Sequence, residues 1–161
     1  IAVFIGYSIG TAPIVSYHYG SENHNEVKNM LQKSFKIMSV LGITMMVLAQ
    51  ILASPLAKVF VGYDKKLFDM TVHGFRLFSF YFILAGINIY ASSFFTALNN
   101  GMISAIISFS RTLGFETLAV IILPIFLQLD GVWLAITVAE ICAFVISISF
   151  LIAKKEKYHY A

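Results

Sequence analysis

The sequence predicts an all-α membrane protein with five transmembrane helices. Apolar residues make up 59% of the 161 residues and charged residues only 12%, about half the charged share of a soluble globular domain. The apolar residues are gathered in runs close to the ~20 residues that a helix needs to cross a bilayer. Because lipid offers the backbone no hydrogen-bond partners, we interpret these runs as helices that satisfy their own backbone.

Five apolar runs follow one another along the chain, and the first three carry no Asp, Glu, Lys or Arg. The predicted spans are 1–19, 37–56, 77–98, 102–128 and 132–153. Short turns at 99–101 and 129–131 join the last three spans, so these are expected to be consecutive antiparallel neighbours. Residue 1 lies inside the first apolar run, and we therefore expect the sequence to be a fragment of a longer protein.

The connection 21–36 has the pattern of an amphipathic helix. Asn23 and Glu26 have the spacing of a helix cap and its reciprocal partner. Apolar residues then recur at helical spacing, with lysines on the other side. Such a segment is expected to lie at the membrane surface, and an ordinary solvated loop is the alternative.

The distribution of Lys and Arg predicts the orientation in the membrane. Seven of the 11 lie on the side of the connection 21–36 and the C-terminal tail, and four on the other side. The positive-inside rule therefore predicts a cytoplasmic C-terminus.

The net charge of +3 is not gathered into a stripe, which argues against a nucleic-acid partner. The single cysteine, Cys142, excludes an intrachain disulfide and a cysteine-rich zinc site, and no metal site is expected.

The pentapeptide GYSIG, residues 6–10, matches two unrelated patterns. As G-x-S-x-G it would be the nucleophile elbow of a hydrolase, with Ser8 as the nucleophile. As G-x-x-x-G it would place Gly6 and Gly10 on one face of a helix, where another helix can approach closely. The flanking apolar run offers no strand, and no histidine has an obvious orienting carboxylate. We interpret Gly6, Gly10 and Pro13 as helix packing and bending, and keep an intramembrane serine hydrolase as the alternative.

Three charged residues inside the predicted spans are candidates for an ion pathway. A charge at the centre of a spanning helix costs about 3 kcal/mol on insertion scales, so Arg111, Glu116 and Glu140 require a function or a partner. In a hairpin around Asp130, both carboxylates fall toward the middle of the bilayer. A carboxyl group there is suited to binding and releasing a proton, as a cation-coupled carrier requires. Interhelical hydrogen bonding is the alternative.

The remaining candidates are weaker. On an α-helix Arg111 and Glu116 would point ~140° apart, so they are not expected to pair, and Arg111 serves equally well as a topology anchor. The aromatic run 78–82 could line a pocket for flat cationic compounds or simply face lipid. Asn88 is the clearest side-chain amide in the third span and a better candidate for a pocket.

Several motifs in order resemble the multidrug and toxic compound extrusion family. They are PIVSYHYG at 13–20, FFTALNNG at 94–101, Arg111, LP at 123–124 and DGVWLA at 130–135. The first is followed by a charged stretch, as in the family, and the resemblance covers essentially the whole chain. It is closest to the bacterial drug-efflux branch.

The resemblance implies that the five helices correspond to helices 8–12 of a twelve-helix, two-lobe antiporter. Such a protein exports cationic or amphipathic compounds across the bacterial inner membrane against a proton or sodium gradient, without a cofactor. Its partners would be the lipid bilayer, these substrates and the missing N-terminal lobe. Glu140 falls where the last helix of the family often carries an acidic residue, whereas the span 77–98 lacks the aspartate that some members use for sodium.

Two other functions stay open. A related flippase for lipid-linked sugars shares the helical architecture and should line its cavity with basic residues, of which only Arg111 is available. A truncated membrane subunit that does not transport is the other possibility.

Overall fold

The computed structural model describes residues 1–160, which form helices joined by short turns and contain no strand. The elements are α1 (Ala2–Gly20), α2 (His24–Val61), α3 (Lys65–Ser79), α4 (Phe82–Ala97), α5 (Gly101–Phe109), a π-helical segment (Ser110–Glu116) and α6 (Thr117–Tyr158). They combine into five rods, because α3 continues into α4 after a bend, α5 continues through the π-helical segment into α6, and α6 reverses direction at Gln128. The prediction of an all-α fold is confirmed.

Helix α2 contains both the connection 21–36 and the second predicted span. Its N-cap is Asn23, whose side chain accepts a hydrogen bond from the Glu26 backbone N–H at 3.3 Å. No break occurs at residue 36, because the lysines and the apolar residues share one uninterrupted helical repeat. The helix is therefore ~57 Å long. It ends at Val61, so the connection to α3 is also much shorter than the sequence predicts.

The third rod is bent where α3 meets α4, at an angle of 42°. In a continuous helix the carbonyl of Arg76 would accept the backbone N–H of residue 80. Here Arg76 O accepts instead from Ser79 Oγ at 2.7 Å and from Gln50 Nε2 of α2 at 3.0 Å. Side-chain donors that insert into the helical ladder are a recognised cause of kinks. The third rod is thus two helices joined at a bend.

The last two rods form a hairpin that turns at Gln128, one residue before the predicted turn. Gln128 has φ 52° and ψ −128°, a region that non-glycine residues rarely adopt. A Cβ on Gly131 would lie 2.5 Å from the carbonyl carbon and oxygen of Leu123. The absence of a side chain at this position lets the chain double back tightly.

Close helix contacts occur at glycines other than the predicted pair. An ideal Cβ at Gly42 would lie 2.5 Å from Phe82 O, and one at Gly74 only 2.3 Å from the indole of Trp133. In contrast, no atom lies within 4 Å of a Cβ built on Gly6 or Gly10. The predicted packing stripe on α1 therefore makes no helix contact within residues 1–160, because α1 packs through its opposite face.

Helix α4 forms the centre of the bundle. It contacts α1, α2, α5 and α6, and its Tyr90, Phe94 and Phe95 are almost fully buried. The end of the chain folds back onto this core. There Asn100 Nδ2 donates to the Tyr158 hydroxyl at 2.6 Å.

Two helical stretches are long and apolar enough to cross a membrane, and a third qualifies if the bent pair α3–α4 is one span. The two are His24–Val61 and the continuous stretch Gly101–Tyr158. Since the second stretch reverses at Gln128, it supplies two antiparallel arms, each longer than the ~20 residues that a span requires. Helix α1 does not qualify, because hydroxyl and histidine side chains interrupt its apolar character.

Candidate functional site

The structure brings three of the predicted site residues together. Glu140, on the C-terminal arm of α6, is only 4% exposed, and Asn88 on α4 only 1%. Arg111 Nη1 lies 3.2 Å from Glu140 Oε1. Asn88 Nδ2 donates to Glu140 Oε2 at 2.6 Å and to the Glu140 backbone carbonyl at 2.9 Å. We call Asn88, Arg111 and Glu140 the buried triad.

The π-helical segment carries Arg111 to this position. Its wider turn changes the angular spacing of residues 110–116 from that of an α-helix, and single π-helical turns are frequent at functional sites. No sequence pattern predicted this segment, and the ~140° separation expected for Arg111 and Glu116 on an α-helix does not apply here. These two residues nevertheless form no ion pair.

The buried triad satisfies the charge of Glu140 from both sides. A buried carboxylate is tolerated only where opposite charge and hydrogen bonds replace its hydration. One carboxylate oxygen of Glu140 has the guanidinium of Arg111, and the other has the amide of Asn88. The amide oxygen of Asn88 has no hydrogen-bond partner among the described residues. The triad therefore retains one buried acceptor that is free to bind.

Glu116 does not join the buried triad. It lines a shallow depression with apolar and threonine side chains. It is partly buried and forms no hydrogen bond or ion pair with residues 1–160. The sequence placed Glu116 and Glu140 at similar depth, but only Glu140 is paired with Arg111 and Asn88.

A cleft of about 660 Å³ lies between α1, α4 and α5, and the triad residues Asn88 and Arg111 line it. Six hydroxyl side chains also face it. They are Ser8, Ser16, Ser92, Ser93, Thr96 and Ser108. The remaining wall is aliphatic, and no aromatic side chain contributes to it. The aromatic run 78–82, considered from the sequence as a drug pocket, lies outside this cleft, where Tyr81 packs against Phe78 and Phe82.

Hydroxyl groups on α4 and α5 form a continuous hydrogen-bonded string that the sequence analysis missed. Thr96 Oγ1 donates to Ser104 Oγ at 2.7 Å. Ser92 Oγ lies 2.9 Å from Ser104 Oγ and 2.8 Å from Ser108 Oγ. The signal was present as small polar residues spaced four apart on both helices, at 88, 92 and 96 and at 104 and 108. We call Ser92, Thr96, Ser104 and Ser108 the hydroxyl string.

Ser8 is buried at 2% exposure, and its hydroxyl has no hydrogen-bond partner among residues 1–160. A serine nucleophile requires a base within hydrogen-bond reach. Neither a histidine nor a carboxylate contacts Ser8 Oγ, and the backbone around it is helix α1 rather than a strand and a turn. Within the same residues, no group of three or more His, Cys, Asp or Glu side chains is arranged to hold a metal ion.

Comparison with known proteins decides the family. The MatE family profile matches residues 1–122 of the chain. The chain belongs to the MatE family. Members of MatE are multi-helix membrane transporters rather than enzymes, so the match agrees with the resemblance drawn from the motifs and with the apolar helices. No curated protein and no solved structure matches the chain.

The MatE match covers part of the buried triad. Asn88 and Arg111 lie within the matched residues, whereas Glu140 lies beyond residue 122. The assignment of Glu140 to the same site therefore rests on the distances in the structure. Those distances join two elements inside the match to the C-terminal arm of α6 outside it: the π-helical segment through an ion pair, and α4 through two hydrogen bonds.

Proposed function

We propose that this MatE chain is part of a secondary transporter that exports cationic or amphipathic compounds in exchange for protons or sodium ions. The observation that carries the proposal is the buried triad: a carboxylate inside the membrane-spanning helices, balanced by one arginine and one amide at a cleft. Ionisable residues within membrane helices mark ion and substrate pathways. No cofactor takes part in this chemistry.

The triad supplies a switch between two charge states. With Glu140 ionised, Arg111 is held to it across the hairpin. When Glu140 takes up a proton or a metal cation binds to it, the attraction of Arg111 weakens and the guanidinium is free to turn into the cleft. Because the two states differ in the contacts between α4, the π-helical segment and α6, the coupling ion biases the helices between two arrangements, as alternating access requires.

The cleft has the size and lining of a site for an amphipathic compound. Its volume of about 660 Å³ falls within the range of small-molecule sites, roughly 300–1,000 Å³. Aliphatic side chains would bury the apolar part of the compound, and hydroxyl groups would bind its polar part. A cationic compound would be attracted to Glu140 and repelled by Arg111, so its binding would favour the state in which these two side chains are paired.

We propose that the transporter lies in the bacterial inner membrane, which its chain crosses several times, and that its C-terminus is cytoplasmic. This orientation is supported by the excess of Lys and Arg on the side of the chain that carries the C-terminal tail. The other partners are the lipid bilayer and an N-terminal lobe of the same protein.

Efflux of a fluorescent cationic dye from cells, with and without a proton gradient, tests the proposal. We expect Glu140→Gln to weaken efflux more than Arg111→Lys, because glutamine cannot bind a proton whereas lysine keeps the positive charge. Glu116→Gln is the matched control, since Glu116 lies outside the triad. Unimpaired efflux in Glu140→Gln would remove Glu140 from the mechanism.

The cleft also favours a second candidate, a flippase for lipid-linked sugars. Its six hydroxyl groups, its free amide oxygen and Arg111 suit a polyhydroxylated ligand, and the lining contains no aromatic side chain to stack on a flat cation. Translocation of a fluorescent lipid-linked sugar across vesicles that contain the protein distinguishes the two functions. Transport of this lipid without dye efflux would favour the flippase.

A further inference from the structure

The hydroxyl string leads from one end of the bundle toward the buried triad. Thr96 stands one residue before the end of α4, next to the turn at Asn99 and Asn100. Ser92 and Asn88 follow at successive turns of α4 into the membrane, so the row covers ~12 Å. On the facing helix, Ser108 lies one turn before Arg111. The string and the triad are thus two parts of one polar row along the cleft.

Two of the three hydrogen bonds of the string can reverse direction. In the pairs Ser92–Ser104 and Ser92–Ser108, either hydroxyl can be the donor. A hydroxyl group has one proton and two acceptor sites, so each member can accept a proton on one side and release one on the other. Such reversal is what transfer of a proton along a row of hydroxyls and water requires.

Two buried polar atoms at the cleft are places for water. Asn88 Oδ1 and Ser8 Oγ have no partner among residues 1–160, and both residues line the cleft at 1% and 2% exposure. Buried polar groups without protein partners are normally satisfied by ordered water. Thr96 and Ser108 are exposed at the side of the cleft, so water can enter there.

We propose that the cleft holds a chain of ordered water molecules along the hydroxyl string, and that this chain carries protons between the α4–α5 turn and Glu140. This inference rests on the proposed function and names the coupling ion as a proton. A hydronium ion at the α4–α5 turn gives up a proton and becomes water. Each hydroxyl group and water molecule accepts one proton and releases another to its neighbour. The last proton binds to the Glu140 carboxylate, which becomes a carboxylic acid. A bound sodium ion would need several oxygens of its own, and both carboxylate oxygens of Glu140 already have partners.

Thiol accessibility in native membranes tests the water chain without any transport assay. In a Cys142→Ala background of the full-length protein, we expect a membrane-impermeant cationic methanethiosulfonate to modify Thr96→Cys and Ser108→Cys. Phe109→Cys is the matched control, because Phe109 is the neighbour of Ser108, is 62% exposed and does not line the cleft. Equal, slow modification at 108 and 109 would overturn the proposal.

Transport driven by a pH gradient tests the proton path itself. We expect Ser92→Ala to slow this transport by roughly tenfold, because Ser92 joins both halves of the string, and Ser92→Thr to restore it. If Ser92→Ala transports at the wild-type rate, the hydroxyl string only stabilises the packing of α4 against α5 and does not carry protons. If no variant transports any compound, the proposed function fails, and thiol accessibility alone then decides whether the cleft holds water.

Discussion

Glu140 is buried, and each of its two carboxylate oxygens has a side-chain partner. Its partners come from two other rods of the bundle, Asn88 on α4 and Arg111 in the π-helical segment. Removing one partner of a buried ion pair leaves an uncompensated charge and costs about 3–5 kcal/mol, whereas replacing both by neutral groups is often nearly neutral. The energetic value of this pair therefore depends on both residues being present.

This asymmetry predicts strong non-additivity in thermal unfolding. Arg111→Gln is expected to lower the melting temperature of the purified protein clearly, because it strands the Glu140 carboxylate in the core. The double variant Arg111→Gln with Glu140→Gln is expected to recover most of the loss, since glutamine can still accept from Asn88. A double-mutant cycle measures the coupling. Additive losses would contradict the pairing seen in the structure.

The sequence identified each triad residue separately but not their contact. Arg111, Glu140 and Asn88 stood out because polar groups within apolar runs require partners. Glu116 met the same criterion and lies elsewhere. The difference depends on the rotation of a helix around its axis, and a π-helical segment alters that rotation without a recognisable sequence pattern. The hydroxyl string, in contrast, could have been predicted from its four-residue spacing.

At the scale of helices, packing depends on single glycines at close crossings. Gly74 lies against the indole of Trp133, and Gly42 against the backbone of α4. The sequence instead favoured Gly6 and Gly10, because a G-x-x-x-G pair is a known contact motif. A lone glycine in an apolar run carries no such signal. Which glycine faces a neighbour depends on tertiary structure, and the pattern alone cannot decide it.

Alanine substitutions at Gly74 and Gly6 test this reading. Gly74→Ala is expected to destabilise the protein by about 1–3 kcal/mol, because its Cβ overlaps the ring of Trp133 and α3 must move away from α6. Gly6→Ala meets no atom within 4 Å and is expected to leave stability unchanged or slightly raised. Thermal unfolding in detergent measures both. A large loss in Gly6→Ala would reveal a helix contact made by residues outside this chain.

For the whole molecule, the sequence predicted the class of fold better than its boundaries. Composition required membrane helices, and the short turns required antiparallel order in the last three rods. The merging of the connection 21–36 into α2, the bend at Ser79 and the reversal at Gln128 were not predicted. The bend depends on a local competition for backbone hydrogen bonds and the reversal on an unusual backbone angle, and hydropathy reports neither; the merging reflects a helical repeat that continues from the lysine-rich stretch into the apolar one.

If Glu140 exchanges a proton for the transported compound, binding of the compound must release protons, and this release can be measured. Ethidium, a cationic probe, is added to the purified full-length protein in weakly buffered detergent while the pH is recorded. We expect the wild-type protein and Glu116→Gln to release protons and Glu140→Gln to lose this release. Equal release by Glu140→Gln and the wild type would rule out proton exchange at Glu140.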